Sequence, residues 1–385
     1  MQPGTEQSAP MERHLLDHCA RLRMGPGRGI GSYFALGLVG LLVGQMVGVG
    51  LSACGTASVE TVWIAVVSPM VGFLVGVKLS QLLRGYECVV YYEMLAACLA
   101  AAAAVLSIAG EPVLPGLELV AMGVGTFLVL GRIGCLTVGC CHGRPAPWGI
   151  RYGADHAAAG FSAHYVGARL FPVQLVDAAV SAAAVAVSAA VYMGVHEPGE
   201  VVALYVALYG VGRFAVELAR GDAARPYALG VSYAQWVALV SHWLLAAIAL
   251  DGWLEHTMLY LATAALTTAG SVALIAISRR RMSPFTLRQA ATVAALYDAL
   301  RSAIEDADGE PRPQTVSRIG VLLSYQAHES GVRQLTLSRA DIPLDLACAE
   351  TLRRQVVLLL RHLGPTRLVT GATPGIYHVL LQPQA

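Results

Sequence analysis

Charge is scarce in this sequence. Only 13% of its 385 residues are Asp, Glu, Lys or Arg, against about 25% in a soluble globular domain. By contrast, 56% are hydrophobic, and the mean hydropathy is +0.59. So few charged groups cannot cover a soluble surface of this size, which excludes a wholly water-soluble protein, and the same apolar content excludes disorder. A basic excess is also lacking. The net charge is +1 and the pI near 7.7, so no nucleic-acid partner is expected. Lys78 is the one lysine among 26 basic residues, a bias read as genome composition. Eight cysteines are too few for a disulfide scaffold. Most lie singly in apolar runs (Cys54, Cys88, Cys98), as small core residues do, and only Cys135, Cys140 and Cys141 cluster. Residues 1–29 are polar, with Arg13, Arg21, Arg23 and Arg28, and no A-x-A site follows a short apolar stretch, so no cleavable signal peptide is predicted.

What the sequence does have is long runs without charge. Residues 31–59, 61–77, 94–110, 178–195, 226–250 and 256–278 contain no Asp, Glu, Lys or Arg. A membrane span needs ~20 mostly apolar residues, which predicts helices near 30–51, 58–80, 88–109, 116–135, 171–195, 200–219, 231–250 and 256–278. Abundant Ala and Gly, as in Ala100–Ala104 and at Gly123 and Gly125, suit close helix packing in lipid. The character changes at Arg279–Arg281. From Ser283 to Ala385 there are ten Arg and nine acids, an ordinary soluble charge density. There the pattern predicts an amphipathic helix at 286–305, strands at 316–325 and 332–338, a second helix at 344–362 and a last strand at 375–382. The fold expected is an all-α polytopic membrane bundle of 7–8 transmembrane helices with a small soluble α/β C-terminal domain. Its parts would be a polar segment at 1–29, a membrane domain at 30–250, an extra span and basic linker at 251–282, and the soluble domain at 283–385. Nothing in that last part reads as catalytic, and an interaction or regulatory role is expected of it.

Ionisable residues inside spans are costly and usually functional. Glu93, Arg132 and Asp177 fall in the third, fourth and fifth predicted spans, and the sixth holds Arg213 and Glu217, followed by Arg220. At helical geometry Arg213 and Glu217 are offset by about 40° and Arg213 and Arg220 by about 20°, so Tyr209, Arg213, Glu217 and Arg220 make one polar stripe. A structural ion pair would explain part of it. Two arginines sharing one Glu, however, leave positive charge to spare for an anionic guest such as a phosphate. A second constellation is the run from Gly131 to Arg144, GRIGCLTVGCCHGR, where four glycines bracket Arg132 and Arg144. Glycine permits irregular backbone and close ligand approach. The group Cys135, Cys140, Cys141 and His142 has the donors of a soft-metal site. Adjacent cysteines are poor joint ligands, though, and the spacing fits no familiar zinc motif, so no metal is assigned; a local disulfide is a rival reading.

At these residues the chain resembles the prolipoprotein diacylglyceryl transferase family. Its signature, G-R-[IL]-G-N-F at one end and G-R at the other, is matched by 131–144. Its Pro-x-Gln-Leu-Tyr-Glu element is matched by Pro172-Val173-Gln174-Leu175-Val176-Asp177, and its Tyr/Arg/Glu/Arg helix by YGVGRFAVELAR at 209–220. Its following helix with a buried Gln corresponds to Ser232–Trp236, and its Ser-Tyr-Gly to Ser32-Tyr33. The resemblance implies an enzyme that moves a diacylglyceryl group from phosphatidylglycerol to a cysteine thiol of a prolipoprotein or other acceptor, without a cofactor, in a bacterial plasma (inner) membrane. It casts Arg132, Arg213 and Glu217 as catalytic, and Tyr33, Arg144, Gln174, Asp177, Tyr209 and Arg220 as substrate-binding. The sequence departs from the family at Cys135, where the family has Asn, at Cys140, where it has Glu, and at Tyr91-Tyr92-Glu93, where a His-Gly-Gly element is missing. Glu93 and His142 are candidates to replace that His. The alternative class is a non-catalytic membrane protein that binds an anion or lipid and signals through its C-terminal domain. The resemblance also implies an external N-terminus and active face. The connections near residues 55, 111, 196 and 253 have no Lys or Arg, whereas those near 85, 140–170 and 220–230 and both ends of the bundle do. That bias predicts both termini cytoplasmic, and it is preferred here.

Overall fold

The computed structural model describes residues 31–55, 57–85, 90–158, 160–222, 226–278, 290–305, 313–316, 319–328, 332–339, 341–360 and 366–381. The polar segment 1–29, the basic run Arg279–Arg281, Cys88 and the first residues of the helix expected at 286–305 lie outside the described residues. Among the described residues, eight helices are long and apolar enough to cross a membrane: α1 (Ser32–Ser52), α2 (Val59–Arg84), α3 (Tyr91–Ala109), α4 (Val113–Val138), α5 (Val173–Tyr192), α6 (Glu200–Ala219), α7 (Tyr233–Leu250) and α8 (Thr257–Ser278). Each is a long apolar run; six of them overlap the charge-free stretches, whereas α4 and α6 carry a few charges within an otherwise apolar sequence. Their outward faces carry Phe34, Met46, Leu74, Leu82, Leu244 and Met258, all exposed, as lipid contact requires.

Small residues set how closely these helices approach. On α1 the glycines at 40, 44 and 48 recur every four residues and turn inward. A Cβ at Gly44 would run into the carbonyl oxygen of Gly123 on α4. Gly72 and Gly76 of α2 face Ala97, Cys98 and Ala101 of α3 in the same way. The sixth helix is the hub: it is the most enclosed of the eight, burying Tyr205, Tyr209, Arg213 and Glu217 among others.

Polar contacts mark the two ends of the bundle. At one end, Ser58 and Thr61 donate to Glu111, and Glu200 accepts from Tyr260 at 2.8 Å. There too the buried Glu118 of α4 accepts the backbone N–H of Gly199 at 2.7 Å and of Val201 at 3.3 Å, beside His196. Glu118 thus satisfies donors that the start of α6 leaves unpaired. Glu118→Ala would strand both and is expected to cost about 2–4 kcal/mol, seen as a lower unfolding midpoint in detergent; Glu118→Gln should lose less than half of that. At the opposite end the start of α1 meets the end of α4, where Ser32 Oγ donates to Thr137 Oγ1 at 2.8 Å. Alternation of the eight described helices puts the start of α1, the turns between α2 and α3, α4 and α5, and α6 and α7, and the end of α8 at that same end.

The connection 139–172 is built up rather than extended. It contains β1 (Pro145–Arg151), a helical turn at Ala154–Ala158 and β2 (Arg169–Leu170) antiparallel to β1. A two-residue hairpin, β3 (Tyr227–Ala228) and β4 (Val231–Ser232), leads into α7, whose start is closed by a reciprocal capping box between Ser232 and Gln235.

The C-terminal part pairs α9 (Ala290–Glu305) and α10 (Leu346–Leu359) with one five-stranded antiparallel sheet. Its strands are β5 (Gln314–Val316), β6 (Val321–Ala327), β7 (Arg333–Arg339), β8 (Thr366–Thr370) and β9 (Tyr377–Leu381), ordered β5-β6-β7-β9-β8. Val321, Leu323 and Tyr325 alternate inward and meet Leu335, Leu337, Tyr377, Val379 and Leu381 from the neighbouring strands. Two strand expectations need correction. The run at 316–325 is two strands, broken at Ile319-Gly320, where Gly320 takes φ +66°. Strand β8 was missed because TRLVT has only two apolar residues and is half-buried on both faces, which blurs a period of two.

Candidate active site

The site lies where α4, α5 and α6 converge. Asp177 stands in the second turn of α5, between the other two helices, and is 3% exposed. Its Oδ2 is 2.8 Å from Arg132 Nε on α4 and 3.8 Å from Arg213 Nε on α6. Tyr209, one turn before Arg213, donates its hydroxyl to Asp177 Oδ1 at 3.5 Å. Arg213 Nη1 lies 2.7 Å from Glu217 Oε2, the expected i,i+4 pair. Arg220 follows the last helical residue with extended backbone, so it reaches Glu217 Oε2, at 3.9 Å, from off the helix. It is held there by a bidentate pair with Asp222 at 2.9 and 2.8 Å. The result is an unbroken chain of alternating charge from Arg132 through Asp177, Arg213, Glu217 and Arg220 to Asp222.

Buried charges persist only when each is matched, so Asp177 and Glu217 fix the arginines as much as the arginines fix them. The sequence reading, in which two arginines shared one Glu, undercounted the acids. Asp177 and Asp222 complete the pairing of Arg132, Arg213 and Arg220, and the half-buried Arg144 stands beside them at the rim. Arg144 Nε donates to the carbonyl of Arg220 at 3.1 Å.

The mouth is shaped by the turn that ends α4. Gly139 takes φ +79° and Cys141 φ +54°, a left-handed conformation unusual for a side-chain-bearing residue. Gly143 bridges to Arg220 across the mouth, Arg144 N donates to Ala219 O at 3.0 Å, and Gly221 N donates to His142 O at 2.9 Å. Gln174 does not face the arginines. It donates to Cys140 O at 2.9 Å and Tyr152 Oη at 3.3 Å, and Tyr152 in turn donates to Leu136 O at 3.0 Å. Gln174 therefore pins the turn. Tyr33, 43% exposed, packs its ring beside Gly134 at the rim.

The three cysteines of the signature converge here. The Sγ atoms of Cys135, Cys140 and Cys141 all lie within 4.8 Å of one another, with Cys140 exposed and Cys135 buried. Hydrogen bonds from Cys135 and Cys140, helped by Arg220 and Arg132, hold the Cys141 thiol well below its ordinary range, while the shared proton pushes Cys140 up.

Neither candidate for the missing His joins the charge chain. Glu93 pairs with Arg84 and accepts from Tyr233 at 3.1 Å. His142 is wedged between Phe161 and Tyr165 with Nδ1 on Gly143 O at 3.0 Å, and burial pushes its pKa down. Two residues that sequence reasoning passed over do join the site. Asp222 was signalled by its place two residues after Arg220. Tyr92, beside Glu93, packs its ring 6.0 Å from that of Tyr209, and its buried hydroxyl has no hydrogen-bond partner among the described residues.

The C-terminal part touches the lobe at the mouth. One buried cluster runs from Val293, Leu296 and Leu300 of α9 to Ile150, Tyr152, Phe161 and Tyr165. At its edge the His164 ring lies 5.4 Å from that of Tyr297. Burial, then the neighbouring His142, push His164 down to about 4, with Asp298 opposing. A ring freed from this contact returns toward ~6.5 and takes up protons that the docked ring refuses. Docking is therefore expected to be intact above pH ~6.5 and to weaken as the pH falls toward about 4. Faster amide exchange in α9 over that window, abolished by His164→Phe, would register it; a pH-independent rate would contradict it.

A family model described as prolipoprotein diacylglyceryl transferase matches residues 89–253, the stretch that carries α3 to α7. The chain is 34% identical over 112 residues to the phosphatidylglycerol–prolipoprotein diacylglyceryl transferase of Clostridium tetani, covering 29% of this chain and 43% of that protein. To a second such transferase, from Clostridium perfringens, it is 32% identical over 108 residues, covering 27% and 40%. The matched segment thus spans less than half the length of these relatives. Over residues 89–253, with the buried arginine and carboxylate chain at its centre, this protein resembles the prolipoprotein diacylglyceryl transferase family.

Proposed function

We propose that the membrane bundle moves a diacylglyceryl group from phosphatidylglycerol to the thiol of a cysteine on a prolipoprotein or another thiol acceptor. The observation that carries this reading is the buried chain Arg132–Asp177–Arg213–Glu217 inside the family match. In the reaction the acceptor thiol gives up its proton to solvent, its sulfur attacks the glyceryl carbon, the carbon–oxygen bond to phosphate breaks, and glycerol phosphate leaves with one more negative charge than it had as a diester. That charge develops where Arg132 and Arg213 already stand, oriented by Asp177 and Glu217. Fixed donors in a site shielded from water stabilise it without reorganisation. Arg144 and Arg220 at the mouth suit the glycerol end of the head group, and Tyr33 and Tyr209 line the path beside them. Gln174 acts one step back, by holding the turn.

The bundle is proposed to lie in a bacterial plasma membrane with the mouth on the cytoplasmic side, from the charge bias of its connections. Radiolabelled phosphatidylglycerol and an acceptor peptide, incubated with the purified chain, should release labelled glycerol phosphate. Rescue of a strain depleted of its own diacylglyceryl transferase provides the test in cells. Intact lipid in the first assay and no rescue in the second would defeat the proposal.

A further inference from the structure

The signature turn carries a chemistry that lipid transfer does not use. We propose that Cys135, Cys140 and Cys141 form a three-thiolate site for a soft divalent cation of the zinc and cadmium class. The spacing of the cysteines argues against such a site, because neighbouring side chains on regular backbone diverge. The structure removes that objection. Cys141 is in the left-handed conformation, at φ +54°, directly after a glycine-ended helix, and this brings its sulfur round toward Cys135. The three Sγ atoms lie within 4.8 Å of one another. On an ion with metal–sulfur bonds of ~2.3 Å they would stand ~3.8–4.0 Å apart, a closure within the reach of side-chain rotation.

Three further features suit the site. The turn is fixed from outside the cluster by Gln174 on Cys140 O, at 2.9 Å, and by Tyr152 on Leu136 O, at 3.0 Å, so the ligands are held before an ion arrives. Cys140 is exposed, which leaves an entry path and an open fourth position. Thiolates select soft metals over the hard cations that carboxylates prefer. Binding displaces the thiol protons that the cluster still holds to solvent, and a divalent ion with three thiolates carries one net negative charge, which Arg220 and Arg132 flank.

Metal binding at these thiols is independent of lipid transfer and is read without turnover. The full-length chain, purified in detergent under reductant and stripped with chelator, would be titrated with cadmium. The expected result is a sulfur-to-metal charge-transfer band that saturates at one ion per chain. Three fewer cysteines should then be alkylated than in the metal-free protein. Cys135→Ser, Cys140→Ser and Cys141→Ser should each weaken binding by ~100-fold or more, at least the upper end of what outer-shell losses cost. Cys54→Ser, at the far end of the bundle, should change nothing. The protection count on the unaltered chain keeps the test decisive if a variant fails to fold. Absence of the band, protection of fewer than three thiols, or binding undiminished in the cluster variants would overturn the site. So would a disulfide within the cluster that survives reductant and blocks uptake.

Discussion

Lipid transfer should fall by ~10²–10³ when Asp177 is replaced by Asn, the loss usually seen when a positioned transition-state donor is removed. Asp177 is the sharper probe than either arginine. Its Oδ2 lies 2.8 Å from Arg132 and 3.8 Å from Arg213, so one isosteric change unties both from the geometry a phosphate would need. Arg132→Ala and Arg213→Ala should abolish transfer as well. Each, however, strips a buried carboxylate of its partner, at a cost of about 3–5 kcal/mol, and a loss of fold would then mimic a loss of chemistry. Asp177→Asn keeps the side chain's shape and leaves Arg213 its Glu217, although Arg132 loses its carboxylate and folding must still be checked. Two readouts separate the explanations: detergent-solubilised yield and unfolding midpoint for folding, and head-group release for chemistry. Near-normal release from a folded Asp177→Asn protein would show that the charge chain serves packing alone.

What the sequence discloses of this molecule follows from how local each signal is. The eight spans were readable because each is a long apolar run with few or no charges, a property of consecutive residues. The Arg213–Glu217 pair was readable because one helix turn separates its members. Asp177 was readable only as polar lining. Its role as the joint between Arg132 and Arg213 depends on how α5 packs between α4 and α6, which spacing along the chain does not encode. The thiol cluster shows the same limit from the other side. Periodicity assigns Cys140 and Cys141 to divergent directions, and one left-handed residue reverses that. Glu93 misled for a related reason: being charged and near the missing His made it a candidate, yet it faces Arg84, while its uncharged neighbour Tyr92 packs against Tyr209. In the C-terminal part the helices and inward-alternating strands were legible, but the break at Gly320 and the half-buried β8 were not, since each lacks a clean period.

The second large effect concerns which compartment the site opens to, and it is all or none. The charged mouth, the lobe of β1 and β2 and the C-terminal part all sit at one end of the bundle, and α9 shares a buried cluster with that lobe. Every lysine and arginine of the membrane part lies toward that end; the connections at the other end carry Glu111, Glu197, Asp251 and Glu255 and no basic residue. The membrane potential and the anionic inner leaflet both favour the basic end in the cytoplasm. Two single-cysteine reporters in an otherwise cysteine-free chain test this: the native Cys140 at the mouth and Ala327→Cys, exposed at the end of β6. Both should resist a membrane-impermeant thiol reagent in intact cells and react after lysis. Because the fold puts them on one side, they must also agree; disagreement would refute the eight-span arrangement itself. Labelling of both in intact cells would reverse the orientation and place the acceptor outside. With the mouth inside, a fully translocated prolipoprotein could not reach it, and the acceptor would have to present its thiol before or during export.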